Sequence, residues 1–459
     1  MKKVILPTII CLITVSILAM LLYTAGSTDL QFRFEPLIEA PTDEGVPYIL
    51  QDSINKIWVF FVSTRTDNGH KHVFYITSVD GGGTWSDASL FLPAFMPGRD
   101  VQWPVAFQDS TGRFWVAWYN HTAPYNADQV WFTTSGDGVS WTPARLLCGG
   151  HNDLGGFIEA GGRIWFFFSP LSNSWQTCYK TTDDGGNTWS DLVAITASGR
   201  RFPHATVLSN GTIFVVYRIG TINAGANIGY SASSDGGLTW KNGMVDDAPD
   251  PGWDDVPRVV EYDERIFVTF GRSYTQEGYE QDVWFRVWNG ITWESPKQVT
   301  NSSINSLNNH PCPAFVSNEL WIVFQTCVVY GSPGVIDRDI WLARERGIIP
   351  AVINVDPDTL NLKSNGQWIT AYITLPEGYN AENIVLETVY LNGISAVWSE
   401  IQDDVYMVKF DRETVQACLT NEPDYDATLK SYDLTLTVTG ELIDGTLFAG
   451  SDTIRVLSK

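Results

Sequence analysis

The side chains most able to do chemistry lie in the predicted loops at one end of a repeated strand unit. Histidines fall in or beside these loops, namely His70, His72, His121, His151, His204 and His310. Aromatic residues share the same segments: Trp103, Tyr125, Trp175, Trp253, Tyr274, Tyr279 and Tyr330. Imidazoles transfer protons near neutral pH, and aromatic rings present large flat surfaces with one wet edge. These residues therefore predict a face rich in sugar-stacking rings and titratable groups.

The element that must position these loops is a turn motif that recurs roughly every 50 residues, a period typical of propellers and solenoids. Full-length copies such as SVDGGGTW span residues 78–85, 182–189 and 233–240, and shorter copies span residues 135–141 and 287–293. An aspartate in a turn accepts hydrogen bonds from backbone amides ahead of it, and glycines supply positive φ angles. The motif is predicted to close hairpins, and its tryptophan to fill a gap between neighbouring sheets.

A second, apolar run recurs at residues 56–61, 113–118, 163–168, 212–217, 265–270 and 319–324. Before most of these runs lies a strand led by a proline, namely Pro47, Pro104, Pro203, Pro257 and Pro311. Runs that are apolar on both faces suit strands sandwiched between sheets. Six copies of one strand set make a ring with few exposed edges. The sequence predicts an all-β fold: a six-bladed β-propeller over residues 28–347, followed by a small Ig-like β-sandwich over residues 348–459.

Both ends of the predicted propeller carry a further signal. The sixth repeat lacks an outer strand of its own, and residues 31–39 resemble the outer strands of other repeats. They are therefore expected to complete the last sheet and remove its open edge. Residues 1–27 combine two lysines with a long apolar run, which predicts a signal peptide or an N-terminal membrane anchor. The protein is expected to be secreted or attached to the cell surface.

Composition narrows the classes of partner. The formal net charge of −23 argues against nucleic acid, because phosphate binding needs clustered lysine and arginine.

The C-terminal region resembles modules appended to many secreted prokaryotic proteins, which implies a spacer or attachment role. No metal or cofactor is predicted, since Cys/His ligand spacings are absent from the sequence. Cys312 and Cys327 form either a disulfide or two buried thiols, and the acidic residues in 246–255 form either a calcium site or a solvated loop.

The turn motif itself, S/T-x-D-x-G-x-T-W, is the Asp-box, and over about residues 30–347 the chain resembles the sialidase superfamily of six-bladed propellers. That resemblance implies three arginines that bind the sialic carboxylate, a Tyr–Glu nucleophile pair and an aspartate acid/base. The first arginine is replaced by Gly45, whereas the second is matched by Arg218. The third falls at residues 280–282, which contain no arginine. Without three arginines a carboxylate clamp is incomplete.

The rest of the family pattern is matched in part. The tyrosine position falls near His310 and its glutamate partner near Phe202, while Arg65 and Asp67 resemble the arginine and acid/base region. The resemblance therefore implies Asp67, Arg65, Arg218 and His310 as catalytic residues. The predicted substrate-binding residues are Trp103, His121, His204, Arg272 and Tyr274.

Three hypotheses follow for an extracellular glycan or polysaccharide partner. The first is a glycoside hydrolase of different specificity, in which Asp67 acts with Asp153, Asp255 or Glu280. The second is a non-catalytic module that binds glycan or protein through the aromatic face. The third is a polysaccharide lyase, in which His204 or His310 acts with Tyr274 as base and acid, and Arg218 or Arg272 neutralises a uronate.

Overall fold

The protein is described from a computed structural model. The structure describes residues 32–66, 69–96, 98–121, 128–221, 225–247, 252–274, 280–301, 306–328, 338–420, 430–443 and 445–457. The predicted signal peptide or anchor and Asp67 lie outside these residues. Within them, no helix is both long enough and apolar enough to span a membrane. The chain divides into two compact units between Arg344 and Glu345, close to the predicted boundary after residue 347.

The first unit consists of six four-stranded blades: blades 1 to 4 are separate antiparallel sheets, and a short parallel pairing joins blades 5 and 6 into one eight-stranded sheet. The first strand of the chain, β1 (Phe32–Ile38), belongs to blade 6. Blade 1 contains β2 (Glu44–Gln51), β3 (Ile57–Ser63), β4 (His72–Ser78) and β5 (Ser89–Leu90). Blade 2 contains β6 (Asp100–Gln108), β7 (Phe114–His121), β8 (Gln129–Ser135) and β9 (Arg145–Gly149). Blade 3 contains β10 (Asn152–Ala160), β11 (Arg163–Pro170), β12 (Cys178–Thr182) and β13 (Val193–Ala194).

The remaining blades follow the same plan. Blade 4 contains β14 (Arg200–Val207), β15 (Ile213–Ile219), β16 (Asn227–Ser233) and β17 (Lys241–Asp246). Blade 5 contains β18 (Trp253–Tyr262), β19 (Arg265–Ser273), β20 (Gln281–Trp288) and β21 (Lys297–Gln298). Blade 6 contains β22 (Ser306–Val316), β23 (Glu319–Val328), β24 (Arg338–Glu345) and β1. Short 3₁₀ helices in this unit span Leu92–Ala94 and Leu171–Asn173.

The second strand of each blade is the apolar run that the sequence repeats. Every residue of β3 is buried, and β7 is buried up to its last residue. Such strands have no polar face, because each is covered by the neighbouring blade on both sides. This explains why the runs lack the alternation of a half-exposed strand.

Strands from both ends of the unit meet in blade 6. β1 pairs with β24, which confirms that residues 31–39 supply the outer strand missing from the sixth repeat. The first strand of blade 6, β22, packs against β2 of blade 1. Arg338 on β24 also binds Asp43, next to β2, through Nη1 at 2.7 and 2.8 Å. Blade 6 therefore packs against blade 1, and the predicted all-β class is confirmed.

The Asp-box turns join the third and fourth strands. In the turn of blade 1, Asp80 accepts hydrogen bonds from the backbone N–H and the hydroxyl of Thr84, at 2.9 and 2.7 Å, and from the Ser78 hydroxyl at 2.8 Å. The turns of Asp184 and Asp235 repeat this pattern. In blade 5, Asn289 takes the place of the aspartate and still accepts from two backbone amides.

Each Asp-box turn also packs against the preceding blade. A Cβ added to Gly82 would lie 2.4 Å from the ring of Trp321 in blade 6, and one added to Gly237 would lie 2.6 Å from Trp165 in blade 3. Both glycines have positive φ, so a side chain is excluded by conformation and by contact. The closing tryptophans bridge in the same direction, as Trp189 meets Phe132 of blade 2 at 5.6 Å between ring centroids. The motif is a structural staple.

The Asp-box carboxylates give the propeller an acid-labile component. Hydrogen bonds from Thr239 and Ser233 lower the pKa of Asp235 to about 2, below the value of about 3.9 in an unfolded chain. A lowered folded pKa contributes stability above the unfolded pKa, and this stability is lost as the pH falls towards the folded value. We expect the unfolding temperature to drop between pH 4 and 2, and to drop less steeply in Asp235→Asn. The exposed Asp191→Asn, whose carboxylate accepts no hydrogen bond in the described residues, is the control and should keep the wild-type slope.

The second unit contains two sheets around one apolar core. The first sheet contains β25 (Ile348–Pro350), β27 (Thr359–Asn361), β29 (Tyr390–Leu391), β30 (Ile394–Ser395), β33 (Ser431–Glu441) and β34 (Leu447–Leu457). The second contains β26 (Val352–Asp356), β28 (Trp368–Thr374), β31 (Trp398–Gln402) and β32 (Val405–Asp411). One helix, α1 (Arg412–Thr420), and the 3₁₀ helices Ala381–Asn383 and Leu386–Thr388 complete it. The core is lined by Val355, Ile369, Val408, Leu436 and Val456 among others, as expected for a sandwich.

Two alternatives left open by the sequence are decided here. Cys312 and Cys327 are both buried free thiols, because they lie opposite Val323 and Leu307 rather than opposite each other. Within the acidic stretch, Asp246 and Asp254 are buried against arginine. Asp246 and Asp254 are therefore not solvated, and the described residues contain no cluster able to hold a metal ion, while Asp250 lies outside them.

Candidate active site at the mouth of the propeller

The first strand of each blade bulges near its start, where its register with the second strand shifts. In five blades the residue before the proline has positive φ: Val46 (50°), Trp103 (55°), Phe202 (51°), Val256 (47°) and His310 (53°). A positive φ is a genuine outlier for β-branched or bulky residues, and such strain clusters at functional sites. The bulges therefore mark the end of the ring where a site is expected.

Three of these strained residues converge. Trp103 of blade 2 stacks on Phe202 of blade 4, with 5.5 Å between ring centroids, and contacts the His310 ring of blade 6 at 5.1 Å. These blades are not neighbours, so their side chains meet across the axis of the ring. All three residues are half-buried. We call them the aromatic floor.

The floor and the Asp-box turns lie at opposite ends of the propeller. On β15, Ile213 pairs with Ser233 at the start of an Asp-box, whereas Arg218 pairs with Arg201 beside the floor. Arg218 lies five positions after Ile213, which corresponds to about 17 Å of extended strand. The mouth that holds the floor is therefore free of the structural turns, as the sequence predicted.

Two ion pairs flank Phe202, and we call them the mouth ion pairs. Arg201 donates to both oxygens of Asp153, at 2.6 and 3.0 Å. Arg218 donates to Asp255 through Nη1 at 2.9 Å. Both guanidinium groups lie over the Phe202 ring, at 5.0 and 4.9 Å from its centroid. The floor is thus edged by two cations that each have a carboxylate partner.

Burial sets the protonation of these carboxylates. It raises the pKa of Asp153, while the Arg201 guanidinium opposes the shift. Burial also raises the pKa of Asp255 against the opposing charge of Arg218. The Asp255 carboxylate additionally raises the pKa of Asp153. Two interacting acids of this kind suit proton transfer between a sugar and its leaving group.

A polar cluster adjoins the mouth ion pairs. His151 Nδ1 lies 2.7 Å from Asp128, which also accepts a hydrogen bond from the Tyr119 hydroxyl. His121, a predicted substrate-binding residue, approaches the same carboxylate at 3.4 Å. Trp175 packs edge-on against His151 and lies under Arg201, 3.9 Å from the guanidinium carbon. This cluster extends the mouth from blade 2 to blade 3.

Arg65 is placed away from the mouth ion pairs. It donates to Glu44 at 3.0 Å and packs over the Phe74 ring at 5.2 Å. Glu44 is fully buried, and burial raises its pKa. Arg65 is therefore engaged in a pair of its own blade, and its catalytic role stays a prediction because Asp67 lies outside the described residues.

Arg272 and Tyr274 lie in a separate polar group of blade 5. Arg272 is 4% exposed and donates to both oxygens of Asp254, at 2.8 and 3.0 Å, and to Asp246. It is thus turned towards two buried carboxylates, and its predicted role in substrate binding stays a prediction. Tyr274 donates to Asp282 at 3.2 Å and accepts from Trp284 at 3.1 Å, and its predicted role in binding is not decided by these contacts.

The two histidines predicted to act as bases are held neutral. His204 is buried, and burial lowers its pKa strongly. Burial, followed by the nearby cation Arg258, lowers the pKa of His310 to about 3. Groups with such low pKa values are poor general bases, which weighs against the lyase hypothesis.

The neutral state of His310 has a consequence for stability. An unfolded histidine binds a proton below about pH 6.5, whereas folded His310 does so only near pH 3. Because the unfolded chain binds more protons in between, stability falls as the pH drops through this window. We expect His310→Gln to flatten the decline in unfolding temperature between pH 6.5 and 4. His70→Gln, which changes a histidine that is about one-third exposed, should leave the decline unchanged.

Part of this site is recognisable from the sequence. Trp103, His310, Arg218 and His121 are predicted there from their types and positions, whereas Phe202 and Arg201 have no predicted binding role. The available signal was the dipeptide Phe202-Pro203, which occupies the same strand position as Trp103-Pro104 and His310-Pro311. A repeat-by-repeat comparison of the residue before each proline identifies the whole aromatic floor.

Comparison with known proteins identifies the architecture. The family described as BNR repeat-like domain matches residues 66–254. The first unit, here called the BNR propeller, therefore contains a segment that matches this family and has a β-propeller fold. The BNR propeller resembles a protein of unknown function from Dyadobacter fermentans at 14% identity, covering 68% of this chain and 98% of that one, with a TM-score of 0.52. It also resembles the NanB sialidase of Streptococcus pneumoniae at 12% identity, covering 68% and 70%, with a TM-score of 0.52.

A Penicillium chrysogenum α-L-arabinanase solved with arabinobiose is a further structural neighbour, at 13% identity over 68% of this chain and 97% of that one, with a TM-score of 0.49. A search of the curated proteins finds no match to the chain. At these identities the structural comparisons establish the fold of the BNR propeller and leave its chemistry to be argued from its own residues.

Proposed function

We propose that the BNR propeller acts on glycans and binds a sugar ring over Trp103 at the mouth. The observation that carries this proposal is the aromatic floor: three half-exposed rings from three blades, each held in a strained backbone conformation. Aromatic rings bury the apolar face of a ligand while polar groups at their edge fix its orientation. Glycans are the class of ligand that combines these two surfaces.

The mouth ion pairs supply the polar edge. Arg201 and Asp153, and likewise Arg218 and Asp255, place donors and acceptors side by side around Phe202. A sugar hydroxyl is both donor and acceptor, so it can bind such a pair without separating the charges. The pairs therefore favour ligands that carry neighbouring hydroxyl groups.

The same pairs disfavour a ligand held by its carboxylate. Arg218, which matches the second arginine of the sialidase clamp, is already bound to Asp255, and Gly45 replaces the first arginine. Recognition of a carboxylate needs arginines whose donors are free to form bidentate contacts. We infer a preference for neutral over sialylated glycans.

The experiment is a comparison of matched glycans. The purified protein is applied to an array that carries the same oligosaccharides with and without terminal sialic acid, and affinities are measured by calorimetry for the glycans that bind. Retention of the neutral forms supports the proposal. Binding that requires the sialic carboxylate, or an array with no bound glycan, contradicts it.

A second candidate is glycoside hydrolysis by Asp153 and Asp255. Asp153 is buried and Asp255 is partly buried, both have a raised pKa beside Phe202, and the Asp255 charge contributes to the raised pKa of Asp153. We expect any turnover of neutral nitrophenyl glycosides to fall by at least about 100-fold in Asp153→Asn, the range for loss of a general acid or base. If turnover persists in Asp153→Asn and Asp255→Asn, other residues catalyse the reaction, and Asp67 is the first of these to test.

We also propose that residues 1–27 direct export, which would bring the mouth to extracellular glycans. The apolar run followed by small residues at 24–26 supports this. Mass spectrometry of the exported protein should find a mature chain that starts near residue 28, or an intact N-terminus if the segment remains as an anchor. Protein confined to the cytoplasm contradicts the proposal.

A further inference from the structure

A second layer of side chains lies beneath the aromatic floor on the axis of the ring. It consists of the residues two positions after the strained one, or the residue after Gly155 in blade 3: Tyr48, Val105, Gly156, His204, Arg258 and Cys312. Tyr48 Oη lies 3.3 Å from His204 Nε2, although blades 1 and 4 stand on opposite sides of the ring. A Cβ on Gly156 would lie 3.8 Å from Tyr48 Oη. We call this set the axial layer.

The axial layer contains a buried cation without a carboxylate partner. Arg258 is 4% exposed, and its guanidinium makes one hydrogen bond, from Nη1 to the carbonyl of Pro257 at 3.3 Å. Among the described residues no carboxylate lies within ion-pair distance of it, in contrast to Arg201, Arg218 and Arg272. A buried charge without compensation costs several kcal/mol. Apart from the bond to Pro257, no hydrogen bond joins the Arg258 guanidinium to the described residues.

The other members of the axial layer do not supply the missing charge. Burial raises the pKa of the Cys312 thiol to about 11 and raises the pKa of the Tyr48 hydroxyl as well, so both keep their protons at neutral pH. Burial and the Arg258 charge lower the pKa of His204, so this imidazole is neutral. Within the axial layer Arg258 thus has only neutral neighbours; the Asp255 carboxylate also acts on its pKa but is paired with Arg218.

The hydrogen bonds of His204 leave one more donor in this layer. The backbone N–H of Val259 donates to Nδ1 at 3.2 Å, so the single proton of the neutral ring is on Nε2. Nε2 therefore donates to Tyr48 Oη. The hydroxyl proton of Tyr48 must point to another acceptor, and the described residues offer none. The axial layer therefore contains a guanidinium group and a hydroxyl group whose donors lack acceptors among the described residues.

We propose that the axial layer binds a small halide-class anion between Arg258 and Tyr48. Such an ion neutralises the guanidinium and accepts the leftover N–H and O–H groups. It is small because the aromatic floor lies above the layer, and because a Cβ on Gly156 would already contact His204 and Tyr48. The anion site is separate from the glycan-binding surface, so its test does not depend on the proposed function.

The test is thermal unfolding of the full chain at constant ionic strength, with sodium gluconate replaced stepwise by sodium chloride or bromide. A ligand that binds only the folded state raises stability by RT ln(1 + [L]/Kd), so a saturable rise in unfolding temperature is expected. Arg258→Met should abolish the rise, and Tyr48→Phe should shift its midpoint several-fold to higher halide. Arg201→Met removes an arginine that already has a carboxylate and should keep the response.

Crystals grown with bromide provide a readout that does not depend on the variants. An anomalous peak at hydrogen-bond distance from the Arg258 guanidinium supports the proposal, even if Arg258→Met fails to fold. The proposal is overturned by bromide peaks confined to other places. It is equally overturned if replacing gluconate with halide leaves the unfolding temperatures of the wild-type protein and of Tyr48→Phe unchanged.

Discussion

Replacing Trp103 with alanine is expected to weaken glycan binding at least about tenfold, which corresponds to about 1.4 kcal/mol. Aromatic residues at the centre of an interface are the ones whose truncation costs most. Trp103 meets both Phe202 and His310, so its loss removes the ring that unites the floor. Calorimetric titration with the tightest neutral glycan of the array provides the measurement.

Two further variants separate binding from folding. Trp103 is half-buried rather than fully buried, so the alanine variant should unfold cooperatively near the wild-type temperature. Trp398→Ala changes a tryptophan of the second unit that is 37% exposed and should leave the affinity unchanged. Equal losses in Trp103→Ala and Trp398→Ala would mean that the floor has no special role.

Replacing Arg272 with alanine is expected to destabilise the propeller by about 3–5 kcal/mol, the range for breaking a buried ion pair on one side. Arg272 binds Asp254 and Asp246, which are both buried. Without the guanidinium, two carboxylates remain in a site of low dielectric. Urea unfolding followed by tryptophan fluorescence measures the loss.

The pH dependence identifies the cause of that loss. Burial raises the pKa of Asp254 to about 7 even with Arg272 present. In the variant the folded carboxyl therefore holds its proton more strongly than the unfolded one, so stability is lost as the pH rises through the folded pKa. Arg272→Ala should be most damaging at pH 8 and least damaging at pH 5.

Arg265 at the start of the same strand is the matched control. Its pair with Glu294 is partly exposed on both sides, and such pairs contribute about 0–1 kcal/mol. A similar loss in Arg265→Ala and Arg272→Ala, or a loss in Arg272→Ala that does not change with pH, contradicts the role assigned to Arg272.

The fold was predictable because its signals are local and repeated. The Asp-box turns are recognisable from residue types at fixed offsets, and the second strands are recognisable from unbroken apolar runs. The pairing of β1 with β24 was predictable because the sixth repeat visibly lacked one strand. Each of these features is contained within one repeat or in the difference between repeats.

The site was predictable only in part, because it depends on where different blades converge. The bulge before each proline turns one residue per blade towards the axis, and this step is not visible in hydrophobic periodicity. Trp103 was named for its residue type, whereas Phe202 became part of the site only through its contact with Trp103. The pairs of Arg272 with Asp246 and Asp254 were not predictable, because these partners lie on other strands.

The most direct measurement is a crystal structure of the protein with a bound neutral oligosaccharide. We predict one sugar ring stacked on Trp103, with its hydroxyl groups in contact with Asp153, Arg201 or Asp255. A ligand bound at the Asp-box end of the ring, or one that leaves Trp103 and Phe202 uncovered, would contradict it.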